Sequence, residues 1–214
     1  MTKAAENAPL PDFSREAGLM ATTGGLVAGV DEVGRGALAG PVVAAAVVFA
    51  ETPKISGIRD SKRLTVRRRE ALAAEIHQCA HVAIVEVDVA TIDKINIRQA
   101  SLLAMTRALI ELPVRPAHAL VDGNVACEAP CPVTTVIKGD DRSLSIAAAS
   151  IVAKVHRDEL MVELDRAYPS FGWARNKGYA SLQHRDELAT VGPTIHHRMS
   201  FAPARNAQHI LNLG

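Results

Sequence analysis

Two short apolar runs, Leu26 to Val33 and Pro41 to Phe49, are rich in Val and Ala and are separated by a turn holding Gly34, Gly36 and Gly40. Runs of that length bounded by turn residues predict two strands paired across the turn, and Pro41 suits the first residue of a strand. His81 to Val89 alternates, with Val82, Ile84, Glu86 and Asp88 on one side and Ala83, Val85, Val87 and Val89 on the other. Alternation of period two predicts a third strand and, with the first two, an antiparallel meander. Between them Thr65 is placed to cap a helix reaching about Cys79, with Leu72 and Ile76 inward and arginines outward.

A helical pattern then runs from Thr91 to about Leu112 through Ile95, Leu102, Met105 and Leu109, and Pro113 and Pro116 end it. Ala117 to Val121 and Val133 to Ile137 read as two further short strands. The first delivers Asp122 at its end, and the second leads into Lys138-Gly139-Asp140-Asp141. Ser143 to Ala167 predicts a long helix whose first half, Ile146 to Lys154, is small and apolar all round and therefore buried. A loop over 168–179, a shorter helix over 180–190 and a tail complete the chain. The mixed order of strands and helices predicts an α/β fold that is not simple βαβ winding.

Composition narrows this picture. The 214 residues suit one domain; 48% are hydrophobic and 22% charged, as in soluble globular proteins, while only 3% are aromatic, so the core must be aliphatic. Trp173 is expected as a packing anchor. Residues 1–25 carry no apolar signal segment and read as a flexible tail before a domain spanning 26–214, whose helical C-terminal part begins near 168. The longest apolar run, Ala37 to Ala50, is too short to span a bilayer. Three cysteines support no disulfide framework and suit a reducing cytoplasm. The net charge of +1 does not announce a nucleic-acid binder, but Arg59, Lys62, Arg63, Arg67, Arg68 and Arg69 cluster, either as a solvated helix face or as a footprint for phosphates.

The chemistry concentrates in Val30-Asp31-Glu32-Val33-Gly34-Arg35-Gly36. Two carboxylates at the end of an apolar run are costly to hold there, and glycines around Arg35 let backbone amides approach an anion. Asp31, Glu32, Asp122 and Asp140 all fall at predicted strand ends. Carboxylates that converge repel one another unless a cation neutralises them. Mg²⁺ or Mn²⁺ takes such oxygen ligands, and two ions can drive an in-line phosphoryl displacement. Neighbours on a strand point to opposite faces, so Asp31 and Glu32 can share an ion only where the strand ends or bulges.

Over nearly all of Leu26 to Phe201 the chain resembles bacterial ribonuclease HII. The matching pieces are Asp31-Glu32-Val33-Gly34-Arg35-Gly36, Asp60-Ser61-Lys62, Val121-Asp122-Gly123, Lys138-Gly139-Asp140, Ala148 to Val155 with Arg157-Asp158, and Asn176-Lys177-Gly178-Tyr179. The resemblance implies a ribonuclease H-like five-stranded mixed sheet flanked by helices. It also implies a metal-dependent endonuclease that cuts RNA in RNA–DNA hybrids and incises 5′ to ribonucleotides embedded in duplex DNA, leaving 3′-hydroxyl and 5′-phosphate ends.

By position it makes Asp31, Glu32, Asp122 and Asp140 the metal ligands, with Asp158 the alternative fourth acid. Gly34, Arg35 and Gly36 become the loop that senses the 2′-hydroxyl and its phosphate, and Tyr179 the residue that packs on the sugar. Lys62 is expected at a phosphate, Lys154 at a phosphate or carboxylate, and His184 either at backbone phosphate or simply at the surface. Residues Gln208 to Leu213 faintly resemble a sliding-clamp peptide, and the chain is expected to act as a monomer. A non-catalytic hybrid-binding module and another ribonuclease H-like nuclease are the competing readings.

Overall fold

The computed structural model describes residues 10–211, with side chains to Gln208. Its centre is a five-stranded sheet in the order β3-β2-β1-β4-β5. The strands are β1 (Val27–Val33), β2 (Val42–Val48), β3 (His81–Val87), β4 (His118–Asp122) and β5 (Val133–Val136). β1, β2 and β3 form the antiparallel meander that the alternation predicts, while β4 joins β1, and β5 joins β4, in parallel. β3 stops at Val87 because the Asp88 carboxylate caps the next helix, accepting from the Thr91 amide at 2.7 Å.

Helices cover both faces. On one, α3 (Val89–Ile110) packs Ala100, Ala104, Met105 and Ala108 against Ala28, Val30, Ala44, Ala46 and Val121. On the other, α2 (Val66–Cys79) and α4 (Leu144–Ala167) bury Leu72, Ile76, Ala148, Ile151 and Val152 against Val43, Ala45 and Val47. Each buried Val, Leu or Ile side chain contributes roughly 1.5–3 kcal/mol, so an aliphatic core suffices here. α4 sits unusually close to the sheet: a Cβ on Gly29 would lie 2.2 Å from the Ser145 carbonyl carbon. The small residues at the start of α4 are what that approach requires.

The C-terminal part, α5 (Trp173–Asn176), α6 (Leu182–Val191) and α7 (Ala202–Leu211), wraps a third core around the fully buried Trp173, with Phe171, Leu188, Met161 and Ala204. No described helix is long and apolar enough to cross a membrane.

Three features depart from the sequence reading. The stretch expected as a flexible tail contains α1 (Ser14–Thr23), anchored by Phe13 edge-on to Phe49 and by the buried Glu16; a polar anchor leaves no apolar stripe to read. α3 is not one continuous helix, because Asn96 adopts φ 66° and its Oδ1 accepts from the Arg98 and Gln99 amides, restarting the helix. α5 and α7 stand where a loop and a tail are expected. Residues 1–9, and Asn212 and Leu213 of the Gln208–Leu213 clamp-like stretch, lie outside the described residues.

Candidate active site

Parallel pairing builds the centre. Val30 stands opposite Val121, and both enter the α3-side core. Side chains alternate along a strand, so the next residues on each, Asp31 and Asp122, emerge side by side on the α4 face. Glu32 then points the other way. β1 is regularly paired with β2 through Val33, without a bulge. What lets Glu32 join is the end of β4: its last residue, Asp122, and Gly123 at φ 94° turn away there, and Glu32 shares a small cleft with Asp122, Asn124, Arg35 and Arg98. Asp140 arrives from the turn Gly139–Asp141 after β5. That turn is fastened to the site by the Gly139 amide, which donates to Asp122 Oδ1 at 2.6 Å.

The acids strain against one another. Asp31 is 8% exposed, and burial, then the charges of Glu32, Asp122 and Asp140, push its pKa well above the ordinary carboxylate value, although it accepts from the Glu32 amide. Glu32 is pushed up by burial despite its ion pair with Arg35 at 3.0 Å. Asp140 is pushed up by burial, Asp60 and Asp122, with Lys62 opposing. Lys62 feels the converse. Burial acts against its charge, yet Asp60, Asp140, Asp31 and Asp122 together raise its pKa. The ammonium therefore lies in the field of the whole cluster.

Among the described residues, no three carboxylate, imidazole or thiol groups already stand in a cation-holding arrangement. Glu32 Oε1 is engaged by Arg35 and Asp122 Oδ1 by Gly139. The donor set nevertheless fits a hard divalent cation: it is all oxygen, the acids repel, and Glu32 Oε2 is buried with no hydrogen-bond partner. A cation would relieve both the repulsion and the unpartnered oxygen.

A cleft of about 320 Å³ joins Asp31 and Glu32 to Ser61, Lys62, Ser150, Lys154 and Tyr179. Its walls are held by polar side chains. Asp60 caps its own turn through the Lys62 amide at 2.9 Å, and Arg69 grips the same turn through the carbonyls of Ser61 and Leu64. Asp158 bridges Arg69 at 3.1 Å and Lys154 at 2.5 Å. Asp158, the alternative fourth acid, is thus paired with two cations, whereas the Asp140 charge acts on Asp31 and Lys62. Lys154 finds the carboxylate partner that its burial demands.

The Gly34-Arg35-Gly36 loop is stapled from beneath by two buried arginines. Arg157 donates to the carbonyls of Pro41, Lys177 and Ala39, and Arg198 to those of Gly40 and Arg35. Gly34 has φ 92°, and a Cβ there would meet Arg157 Nε at 2.2 Å. Gly36 lies against Tyr179, whose ring is partly exposed and has the Arg157 guanidinium 5.6 Å from its centroid.

His184 corrects the sequence reading. It is fully buried and cannot reach a backbone phosphate. Its Nδ1 contacts the Tyr179 carbonyl at 2.9 Å, and its Nε2 meets Trp173 Nε1 at 3.2 Å and His197 Nε2 at 3.0 Å. Trp173 donates to Nε2, so Nδ1 carries the proton and donates to the carbonyl. His184 thus belongs to the support of Tyr179. Sequence reasoning also missed Glu16 and Arg198, and it counted Arg69 among the outward arginines of its helix, whereas Arg69 is buried against Ser61, Leu64 and Asp158.

Comparison with known proteins agrees with this geometry. The family model described as Ribonuclease HII matches residues 28–204. The curated Ribonuclease HII of Paramagnetospirillum magneticum is 52% identical over 206 residues, covering 94% of this chain and 100% of that one. Among solved structures, the ribonuclease H2 from Pyrococcus horikoshii has a TM-score of 0.78 at 26% identity, over 88% of this chain and 100% of that one. The PCNA:RNase HII complex from Archaeoglobus fulgidus gives 0.69 at 27%, over 81% and 94%. Bst-RNase HIII in complex with Mn²⁺ shares the fold at 0.72 and 21%, over 99% and 74%. A mixed sheet ending in converging acids and a match of this length have one reading: the chain belongs to the ribonuclease HII family, endonucleases that hydrolyse RNA in RNA–DNA hybrids.

Proposed function

We propose that the chain, besides hydrolysing RNA in hybrids, nicks duplex DNA on the 5′ side of an embedded ribonucleotide and leaves 3′-hydroxyl and 5′-phosphate ends. One observation carries the reading: Asp31, Glu32, Lys62, Lys154 and Tyr179 open into a single cleft. A strand entering it meets the acids at its phosphate and the tyrosine at its sugar. The 2′-hydroxyl is what separates RNA from DNA, and Gly36 leaves the space beside Tyr179 for a sugar to approach.

Asp31, Glu32, Asp122 and Asp140 are the ligands of Mg²⁺ or Mn²⁺. Mg²⁺ or Mn²⁺ held there would supply an activated water and charge stabilisation at the leaving oxygen. Arg35, between its glycines, holds the phosphate next to the ribonucleotide. Lys62 draws in the scissile strand. Tyr179 stacks on the sugar, and Lys154 braces the ring from below, its Nζ 6.0 Å from the ring centroid. A binding module has no use for mutually repelling acids, which argues against a non-catalytic role.

One chain carries every residue of the site, so a monomer suffices, working in the cytoplasm. The PCNA complex of the Archaeoglobus relative supports a sliding-clamp contact, for which Gln208 to Leu213 are the candidate stretch by sequence.

The test is a labelled DNA duplex with one ribonucleotide, incubated with Mg²⁺ beside all-DNA and EDTA controls. A nick 5′ to the ribonucleotide in the first lane alone is expected. Equal cutting of all-DNA, or cutting that survives EDTA, refutes the reading.

A further inference from the structure

The first described helix, α1, lies ahead of the residues that the family model matches. Yet it plants a fully buried carboxylate, Glu16, at the start of α4. No cation pairs with Glu16 among the described residues. Instead, Glu16 Oε1 accepts from Ser143 Oγ at 2.6 Å and from the Ser145 amide at 2.8 Å. The Asp12 carbonyl accepts from the Leu144 amide at 3.0 Å, and Ser143 Oγ accepts from the Ile146 amide at 3.2 Å. The first amides of a helix have no partners of their own, and negative charge is favoured beside them. Here the chain before β1 supplies both.

The same serine closes the turn that bears Asp140. The Ser143 amide donates to the Gly139 carbonyl at 2.8 Å, while the Gly139 amide donates to Asp122. The turn is therefore held at its first residue by one carboxylate of the site and at its exit by Ser143, whose hydroxyl is aimed by Glu16. We propose that Glu16 is a positioning residue for the reaction: through Ser143 it sets the Asp140 turn in register with Asp31 and Asp122. The inference rests on the reading of Asp140 as a metal ligand.

The experiment uses the full chain with Glu16→Ala, Glu16→Gln and Ser143→Ala. Each is measured for Mn²⁺ affinity by titration calorimetry without substrate, and for kcat and KM on the single-ribonucleotide duplex across Mg²⁺ concentrations. Loss of a group that orients a ligand typically costs 10–100-fold in metal affinity. Glu16→Ala is expected to weaken Mn²⁺ binding, and to raise the half-saturating Mg²⁺, about tenfold, leaving KM for the duplex unchanged. Glu16→Gln keeps an Oε1 acceptor for both bonds and is expected to stay close to wild type. Ser143→Ala is expected to reproduce the Ala effect, and it decides the matter if Glu16→Ala does not fold. Wild-type Mn²⁺ affinity in a folded Glu16→Ala or Ser143→Ala protein overturns the proposal.

Asp140→Asn separates the two ideas. Normal Mn²⁺ binding by that variant sinks the reading of Asp140 itself. If it binds weakly and adding Glu16→Ala still costs a further tenfold, Asp140 stands and the latch falls. No additional loss in the double variant is the expected result, since residues acting through one another do not add.

Discussion

Replacing Asp31 by Asn is expected to make the metal-free protein more stable and inactive. Asp31 is 8% exposed and faces Glu32, Asp122 and Asp140. Folding therefore brings a charge into a place where burial and like charges both oppose it. Each unit by which the folded pKa exceeds the unfolded one costs about 1.4 kcal/mol of stability at neutral pH. Asparagine removes the charge, fits the same volume, and keeps an Oδ1 acceptor for the Glu32 amide that Asp31 holds at 2.8 Å. A buried polar group held without adequate partners typically costs about 1–3 kcal/mol, so a gain on the order of 2 kcal/mol is expected, and for a chain of this length 1 kcal/mol moves Tm by roughly 2–4 °C. Thermal melts in EDTA should thus show a rise of roughly 4–8 °C. With saturating Mg²⁺ the gap should shrink or reverse, because only the wild-type site gains binding energy from the ion. A variant that melts lower in EDTA, or that still nicks the ribonucleotide duplex, would refute the account of a site held under electrostatic strain.

Gly34→Ala should cost more than the usual glycine replacement, since φ 92° and the contact with Arg157 Nε act together; a loss above about 1 kcal/mol by denaturant titration, with duplex cleavage reduced, is expected, and a neutral result removes the staple argument. Arg157→Met leaves three carbonyls, of Pro41, Lys177 and Ala39, without their donor, and should destabilise by roughly 3 kcal/mol; an unchanged Tm contradicts it. The third prediction concerns acid. Burial, with His184 and His196 adding, holds His197 down to about 3 from 6.5, so its neutral form is favoured in the fold. That contribution is complete above pH 6.5 and is lost, at up to about 1.4 kcal/mol per unit, as pH falls towards 3. The raised carboxylates act with the opposite sign, so the clean comparison is wild type against His197→Asn in EDTA from pH 7 to 4. Their Tm difference should change steadily in favour of the variant, and parallel curves would show that His197 does not titrate this way.

The strands were legible because their core is one-dimensional in the sequence. His81 to Val87 alternates, and the Val- and Ala-rich runs on either side of Asp31-Glu32-Gly34 have no other use. That acids at strand ends converge could be reasoned, but the neighbourhood of Asp31 and Asp122 depends on a parallel pairing 91 residues apart in the chain, Val30 with Val121, which no local pattern encodes. The losses share one cause. Glu16, His184 and Arg198 are polar residues doing structural work inside the molecule, and Asn96, at the surface, restarts its helix through its own side chain. A buried glutamate as the anchor of a helix removes the apolar stripe by which a helix is recognised. A histidine at the third position of an amphipathic helix reads as surface until the Trp173 side chain is known to lie over it.

The same polar interior explains how a cluster of unneutralised acids survives beside so many cations. Arg157 and Arg198 are buried close by, yet their donors go to backbone carbonyls of the loop 35–41 and of Lys177, so they shape the pocket without entering it. Arg69 and Lys154 are satisfied by Asp158, and Arg63 by Asp141 at 3.5 Å. Besides Arg98 in the cleft beside Glu32, the cations facing the acids include Arg35 and Lys62, whose side chains are 55% and 79% exposed. Ion pairs that open to water are worth at most about 1 kcal/mol, so both can leave the carboxylates for a phosphate at little cost. The arrangement keeps fixed charge committed to the scaffold and mobile charge at the mouth of the cleft, which is what a site must do if a divalent ion and a polyanion are to enter it together.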